Sequence, residues 1–213
     1  MAKGENLCAV ILAAGESTRM GNDKALLPWP PSAGLSQPGG QTFLSTAIDA
    51  LSPISELVIV VAGKNEAQLA PIIYAHGGFL VTNRAPERGQ FSSLQVGLQE
   101  VLNHGRDAAI VTLVDRPAPS AATLKILYDA FGCTASGKWA VVPEFEGKHG
   151  HPIFLGREMI EAFLRAPATS NAREIEHQNQ QHIEYVKVAD PAVALNVDTP
   201  EDYAALISAV SSR

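Results

Sequence analysis

Cysteine is scarce in this chain: 213 residues contain only Cys8 and Cys133. That excludes a disulfide framework and suits a reducing compartment, so the cytoplasm is the expected location. Cys8 sits in an apolar run and Cys133 between elements, and neither has the surroundings of a nucleophile. Positive charge is also short. Sixteen Lys and Arg stand against 22 Asp and Glu, a formal net charge of -6, which argues against a nucleic-acid backbone as partner. No apolar stretch reaches the ~20 residues that cross a bilayer, so no membrane partner is expected. The run from Leu7 to Ala14 has the ~7 to 15 residue length of a secretory h-region. It is read instead as part of the fold, because Glu5 joins Lys3 before it and a loop rich in chemistry follows it directly. Two common phosphate-binding signatures are missing as well. No pair of glycines four apart precedes Lys-Ser or Lys-Thr, and no G-x-G-x-x-G opens the chain.

What is present is an alternation of apolar strands with helical patterns, the mark of a mostly parallel sheet covered by helices. Cys8 to Leu12, Leu57 to Val61, Phe79 to Thr82, Ala109 to Val114 and Trp139 to Val142 read as strands, mostly continuous runs suited to burial on both faces. Phe43 to Leu51, Glu66 to Ala75, Ser93 to Leu102 and Ala121 to Phe131 carry aliphatics at spacings of three and four. The length fits one domain over residues 1–213, within the usual ~50 to 250. Residues 29–41 are rich in Pro, Gly and Ser and read as a flexible loop, either a lid over a ligand or a plain insertion. In sheets of this kind ligands sit at the carboxyl ends of the strands.

The first strand ends in Leu12-Ala13-Ala14-Gly15. There, minimal side chains let backbone N–H groups approach phosphate oxygens, and Arg19 and Lys24 follow as fixed cations. Asp115 stands at the end of a strongly apolar strand, in Val114-Asp115-Arg116-Pro117. A carboxylate there suits Mg2+, which takes one or two carboxylates and completes its shell with phosphates and water; an ordinary Asp-x-Pro turn is the alternative. Near the end, Thr199 and Pro200 read as the cap and first residue of a helix, with Glu201 and Asp202 favourably placed in its first turn. Asp198, just before the cap, is either a second metal carboxylate or a further capping group. Asn83 and the Ser92-Ser93 pair lie in a polar loop running into a helix, where Ser92 as an N-cap competes with ligand contact.

These segments resemble the nucleotidyltransferases of molybdenum cofactor biosynthesis. Gly15, Ser17, Arg19, Met20, Gly21 and Lys24 match that family's G-x-S-x-R-M-G-x-x-K signature. Asp115 and Pro117 match its Gly-Asp-x-Pro, with Val114 in place of the glycine. Residues 196–202 are similar to its Asp-x-Asp-Thr-Pro-Glu-Asp, with Asn196 in place of the first acid. Gly89 to Leu94 looks like its Gly-x-x-Ser-Ser-Leu loop, and Gly150-His151-Pro152 like the Gly-His-Pro of its cytidylyl members.

The resemblance implies a Rossmann-like three-layer α/β/α fold with a mostly parallel sheet, and a Mg2+-dependent transfer of CMP from CTP to the phosphate of molybdopterin. Leu12, Ala13, Ala14, Gly15, Ser17, Asn83, Ser92 and Ser93 are then nucleotide-binding. Arg19 faces the β- and γ-phosphates, Lys24 the α-phosphate, Asp115 and Asp198 the metal, and His151 the acceptor. A transient contact with molybdoenzyme maturation factors is implied too. Ala13-Ala14-Gly15 and Leu26-Leu27-Pro28-Trp29 favour the cytidylyl branch over the guanylyl relatives. Guanylyl transfer, CDP-alcohol or sugar-nucleotide synthesis, and a non-catalytic nucleotide-binding regulator are the alternatives.

Overall fold

The computed structural model describes residues 6–15, 20–30, 41–134, 137–167 and 169–211. Eight strands form one sheet: β1 (Leu7–Leu12), β2 (Leu57–Ala62), β3 (Phe79–Thr82), β4 (Ala108–Leu113), β5 (Ala140–Phe145), β6 (Lys148–His149), β7 (Ile153–Gly156) and β8 (Ile183–Lys187). Their order is β3-β2-β1-β4-β7-β5-β6, with β8 on the free side of β5. β1 to β4 are mutually parallel wherever they pair, and β7 enters antiparallel between β4 and β5. β8 then runs parallel to β5.

β1 and β2 are buried on both faces, and alternate β1 residues serve opposite cores. Leu7, Ala9 and Ile11 pack under α1 (Phe43–Leu51), α2 (Glu66–Ala75) and α4 (Ala121–Gly132). Cys8, Val10 and Leu12 pack under α3 (Gln90–Asn103), α5 (Arg157–Arg165) and α6 (Ala172–Gln178). The period of two along a strand therefore produces the three layers directly. At Gly97 a side chain would come within 2.5 Å of Val10 Cγ1. The glycine lets α3 lie close against the sheet, which draws its N-terminus over the end of β1.

The five strands and four helices legible in the sequence are present, three of them with unchanged ends and the rest with an end moved by one to three residues. The late elements β6, β7, β8 and α6 are too short or too mixed in polarity for periodicity to reveal, whereas α5 carries a helical period in its buried Met159, Ile160 and Phe163. α3 begins at Gln90 with Gly89 as its cap residue, so Ser92 lies inside the helix and is not its cap. No helix among the described residues is long and apolar enough to cross a membrane.

Candidate active site

Three segments far apart in sequence meet at the carboxyl ends of β1 and β4. Past β1, the Ala13 N–H donates to the Val61 carbonyl at 2.9 Å and the Val114 N–H to the Leu12 carbonyl at 3.1 Å. The sheet register thus continues into the turn and leaves Ala14 and Gly15 lining the cavities beyond it. Ser17 and Arg19 lie outside the described residues. So do residues 31–40 of the loop expected over 29–41.

Lys24 opens a one-turn 3-10 helix, Lys24–Leu26. Asp23 caps that turn by accepting from the Ala25 N–H at 2.9 Å, while its other oxygen accepts from Asn65 Nδ2 at 2.6 Å. Asn65 also donates to the Ala13 carbonyl at 2.9 Å and accepts from the Gly63 N–H at 3.0 Å. One amide therefore ties the ends of β1 and β2 to the segment that carries Lys24. Asn65 precedes α2 like an ordinary cap, but its side chain makes no cap bond. The sequence offered no other signal for it.

The Lys24 ammonium lies between two carboxylates, 3.2 Å from Asp115 Oδ2 and 2.8 Å from Asp198 Oδ1. Asp115 and the Asp198 segment are joined through backbone as well, since the Val197 N–H donates to the Asp115 carbonyl at 3.0 Å. Asp198 is held from its other oxygen by the Asn196 amide. An acid at 196 would lack that donor, so the departure from the family pattern changes a carboxylate into an orienting hydrogen bond. Behind it, Asp202 accepts from the Asp198 and Thr199 N–H groups at 3.0 and 2.9 Å, and its own N–H donates to Thr199 Oγ1 at 3.2 Å. Those hydrogen bonds, the backbone pair first, hold the Asp202 carboxyl below its usual range. This reciprocal cap starts α7 (Pro200–Ser211) and frees Asp198 for the cleft. Tyr203 on the same helix donates to the Pro28 carbonyl at 2.8 Å, tying α7 to the chain just past Lys24.

Asp115 Oδ1 is buried and has no hydrogen-bond partner among the described residues. A buried carboxylate oxygen without a donor, beside a second carboxylate, fits a divalent cation of the hard oxygen-seeking kind. The described residues contain no cluster of three or more metal-ligating side chains, so substrate oxygens and water would complete the shell.

The other sequence candidates separate. Asn83, Ser92 and Ser93 are buried in one network: Asn83 Nδ2 donates to both serine Oγ atoms at 2.9 and 3.0 Å, and Asn83 Oδ1 accepts from the Ala85 N–H at 2.9 Å. Ser92 Oγ further donates to the Gly89 carbonyl at 2.7 Å. Together they brace the turn before α3, and of the three only Ser93 lines the cavity that holds Lys24 and Asp115. His151 sits in a wall formed at close range: its N–H donates to the Val193 carbonyl at 2.9 Å. A side chain at Gly150 would lie 2.0 Å from that same carbonyl oxygen. Burial, and then the nearby Arg116 charge, push the imidazole down to about 3, so the ring is neutral near pH 7, and its Nδ1 is buried without a partner among the described residues.

Three cavities share these walls. One of about 830 Å³ extends from Ala14 and Gly15 past Asp23 to Lys64, Asn65 and Gln68. One of about 800 Å³ lies on the other side, between α3, β7 and α6, and includes Arg116 and His151. A smaller one of about 270 Å³ joins them: it shares Ala14 and Gly15 with the first, Leu12, Gly89, Gln90 and Leu113 with the second, and contains Lys24 and Asp115.

A glycine turn at a strand end, a lysine between two carboxylates, and two ligand-sized cavities meeting there define a site of the nucleotidyltransferase class. A family model described as the MobA-like NTP transferase domain matches residues 9–183, and the chain belongs to that family. It is 31% identical over 208 residues to a molybdenum cofactor guanylyltransferase of Xanthomonas euvesicatoria pv. vesicatoria, covering 93% of each chain. It is 24% identical over 196 residues to the molybdenum cofactor cytidylyltransferase of Escherichia coli K12, covering 91% of this chain and 92% of that one. Among solved structures, Rv0371c from Mycobacterium tuberculosis H37Rv superposes with a TM-score of 0.77 at 24% identity, over 95% of this chain and 98% of that one. The same protein has been solved in complex with manganese.

Proposed function

We propose that this enzyme transfers CMP from CTP to the phosphate of molybdopterin and releases pyrophosphate. The observation that carries the reading is the Asp115–Lys24–Asp198 cluster at the junction of two cavities. In this reading the 830 Å³ cavity takes the nucleotide, the 800 Å³ cavity the acceptor, and the small cavity between them the α-phosphate. The backbone of Ala14 and Gly15, with Arg19, receives the phosphates. Lys24 turns toward the α-phosphate as charge builds there, and Ser93 lines the same space.

The reaction joins an oxygen of the acceptor phosphate to the α-phosphorus and breaks the bond from that phosphorus to the β-phosphate's bridging oxygen, which leaves with pyrophosphate. A phosphate monoester is already ionised near neutrality, so no strong base is required. Catalysis rests on positioning and on fixed positive charge. Asp115 and Asp198 would hold a Mg2+ ion, which neutralises charge on the phosphate oxygens when bound. A neutral His151 cannot act as an imidazolium acid at pH 7 and serves to shape the acceptor wall.

The choice of CTP rests on Ala13-Ala14-Gly15 and Gly150-His151-Pro152, which resemble the cytidylyl branch. The second reading, guanylyl transfer to the same acceptor, is favoured by the 31% identity to the Xanthomonas enzyme. The free thiols of Cys8 and Cys133 fit a cytoplasmic enzyme, and a transient contact with molybdoenzyme maturation factors would follow from the product. Pyrophosphate release in Mg2+ with molybdopterin and each of CTP, GTP, ATP and UTP tests the assignment. Release with CTP alone, abolished in Asp115→Ala, is the expected result. Release with GTP alone moves the enzyme to guanylyl transfer, and silence with all four nucleotides sinks both readings.

A further inference from the structure

The 800 Å³ cavity carries a charge pattern opposite to that of the whole chain. The protein bears a net charge of -6, yet Arg88, Arg116 and Arg173 line this one cavity against a single acid, Glu176. Burial pushes the Glu176 carboxyl up, which disfavours its negative charge.

Arg116 is the arginine that the fold places next to the chemistry. It follows Asp115 directly, and it is half-buried. Its only side-chain hydrogen bonds among the described residues run from Nη1 to the carbonyls of Val193 and Leu195, at 3.4 and 3.3 Å. Both are long, both acceptors are uncharged, and Nε is buried with no partner among the described residues. The acids whose charge it feels are Asp115 and Asp198, and both also face Lys24. A guanidinium cannot shed its proton as a buried lysine can, and this half-buried one, disfavoured by desolvation, shares both of its acids with Lys24. An anion entering the cavity would supply a counter-charge that Lys24 does not share.

Resting on the reading of this cavity as the acceptor's, we propose that Arg116 is a specificity residue that binds the phosphate monoester of the acceptor and aims it at the α-phosphate site beside Asp115. The guanidinium's flat fork matches two oxygens of a phosphate and leaves the third for attack. A neutral His151 on the same wall adds no competing charge. A site built this way takes monoesters with two ionised oxygens and rejects alcohols, which leave the cation unmatched.

The test titrates phenyl phosphate by calorimetry into wild type, Arg116→Gln and Arg116→Lys, with the nucleotide site filled by a non-hydrolysable CTP analogue and Mg2+. Parallel titrations use inorganic phosphate and phenol. Phenyl phosphate should bind the wild type, weaken by about tenfold or more in Arg116→Gln, and weaken less in Arg116→Lys, which keeps the charge but loses the fork. Phenol should not bind. Inorganic phosphate binding as tightly as phenyl phosphate would assign the residue to a free phosphate ion and overturn the acceptor role. Equal binding of phenyl phosphate by wild type and Arg116→Gln overturns the proposal outright, as does its failure to bind a wild type that holds the nucleotide analogue. Affinity for the analogue reports separately. If it binds no variant, the nucleotidyl-transfer reading fails, and titrations without it still decide whether Arg116 grips a phosphate. In turnover, Arg116→Gln should raise KM for the acceptor and leave KM for the nucleotide unchanged, a split that a merely structural arginine would not produce.

Discussion

Replacing Lys24 by Met keeps the apolar stem and removes the ammonium from between two carboxylates, at 3.2 Å from Asp115 and 2.8 Å from Asp198. The two contacts differ in weight. Asp115 is 21% exposed and Lys24 12%, whereas Asp198 is 46% exposed and its pair is strongly screened. A half-exposed pair contributes up to ~1 kcal/mol, and removing one partner of a buried pair costs ~3–5 kcal/mol. The partly buried arrangement here falls between, at about 2 kcal/mol lost. For a chain of this size that is a fall of roughly 4–8 °C in Tm.

The same substitution frees the oxygens that a cation would take. In wild type the ammonium competes with Mg2+ for Asp115 and Asp198, so Mg2+ without nucleotide should stabilise the protein little. In Lys24→Met, Mg2+ at a hundred times its Kd should restore ~2.7 kcal/mol. Thermal unfolding of both proteins, with and without Mg2+, reads the difference, and Mn2+ binding followed by electron paramagnetic resonance reads it directly. Turnover should fall by about 10² to 10³ with the nucleotide KM little altered, as expected for charge that acts in the transition state. Equal Mg2+ stabilisation of wild type and Lys24→Met would refute the competition, and a change in KM alone would refute the catalytic role.

His151 titrates near 3 in the folded protein against an ordinary 6.5, so below pH 6.5 the unfolded chain binds the extra proton and stability falls with falling pH. The slope from this residue is at most ~1.4 kcal/mol per pH unit down to the folded value, and denaturant unfolding between pH 7.5 and 4.5 should show it flattened in His151→Asn. Gly150→Ala would drive a methyl to 2.0 Å from the Val193 carbonyl oxygen, and the loss measured by urea unfolding should reach or exceed the ~1–3 kcal/mol typical of overpacking; a Tm within a degree of wild type would show that the wall yields.

The parallel half of the sheet was legible because its strands are continuous aliphatic runs, buried on both faces, and its helices repeat every three to four residues. α1 and α2 begin and end where that pattern does. The antiparallel β7 was not, since Ile153–Gly156 is four residues long and its place between β4 and β5 depends on pairing with distant strands. At the site, the residue types carried the chemistry: a lysine, two strand-end carboxylates and a glycine turn are meaningful wherever they stand in such a sheet. Their convergence came from the fold. Lys24 and Asp198 lie 174 positions apart and meet because the Val197 N–H ties that segment to Asp115, Asp202 caps α7 and Tyr203 ties the helix to Pro28.

The brace formed by Asn65 and the position of Arg116 were silent in sequence for the same reason, as each depends on which backbone carbonyls happen to lie near it. Composition and local pattern report what a segment is made of and what it prefers alone. Which oxygen faces which nitrogen across the cleft is a property of long-range packing, and that the tertiary structure alone decided.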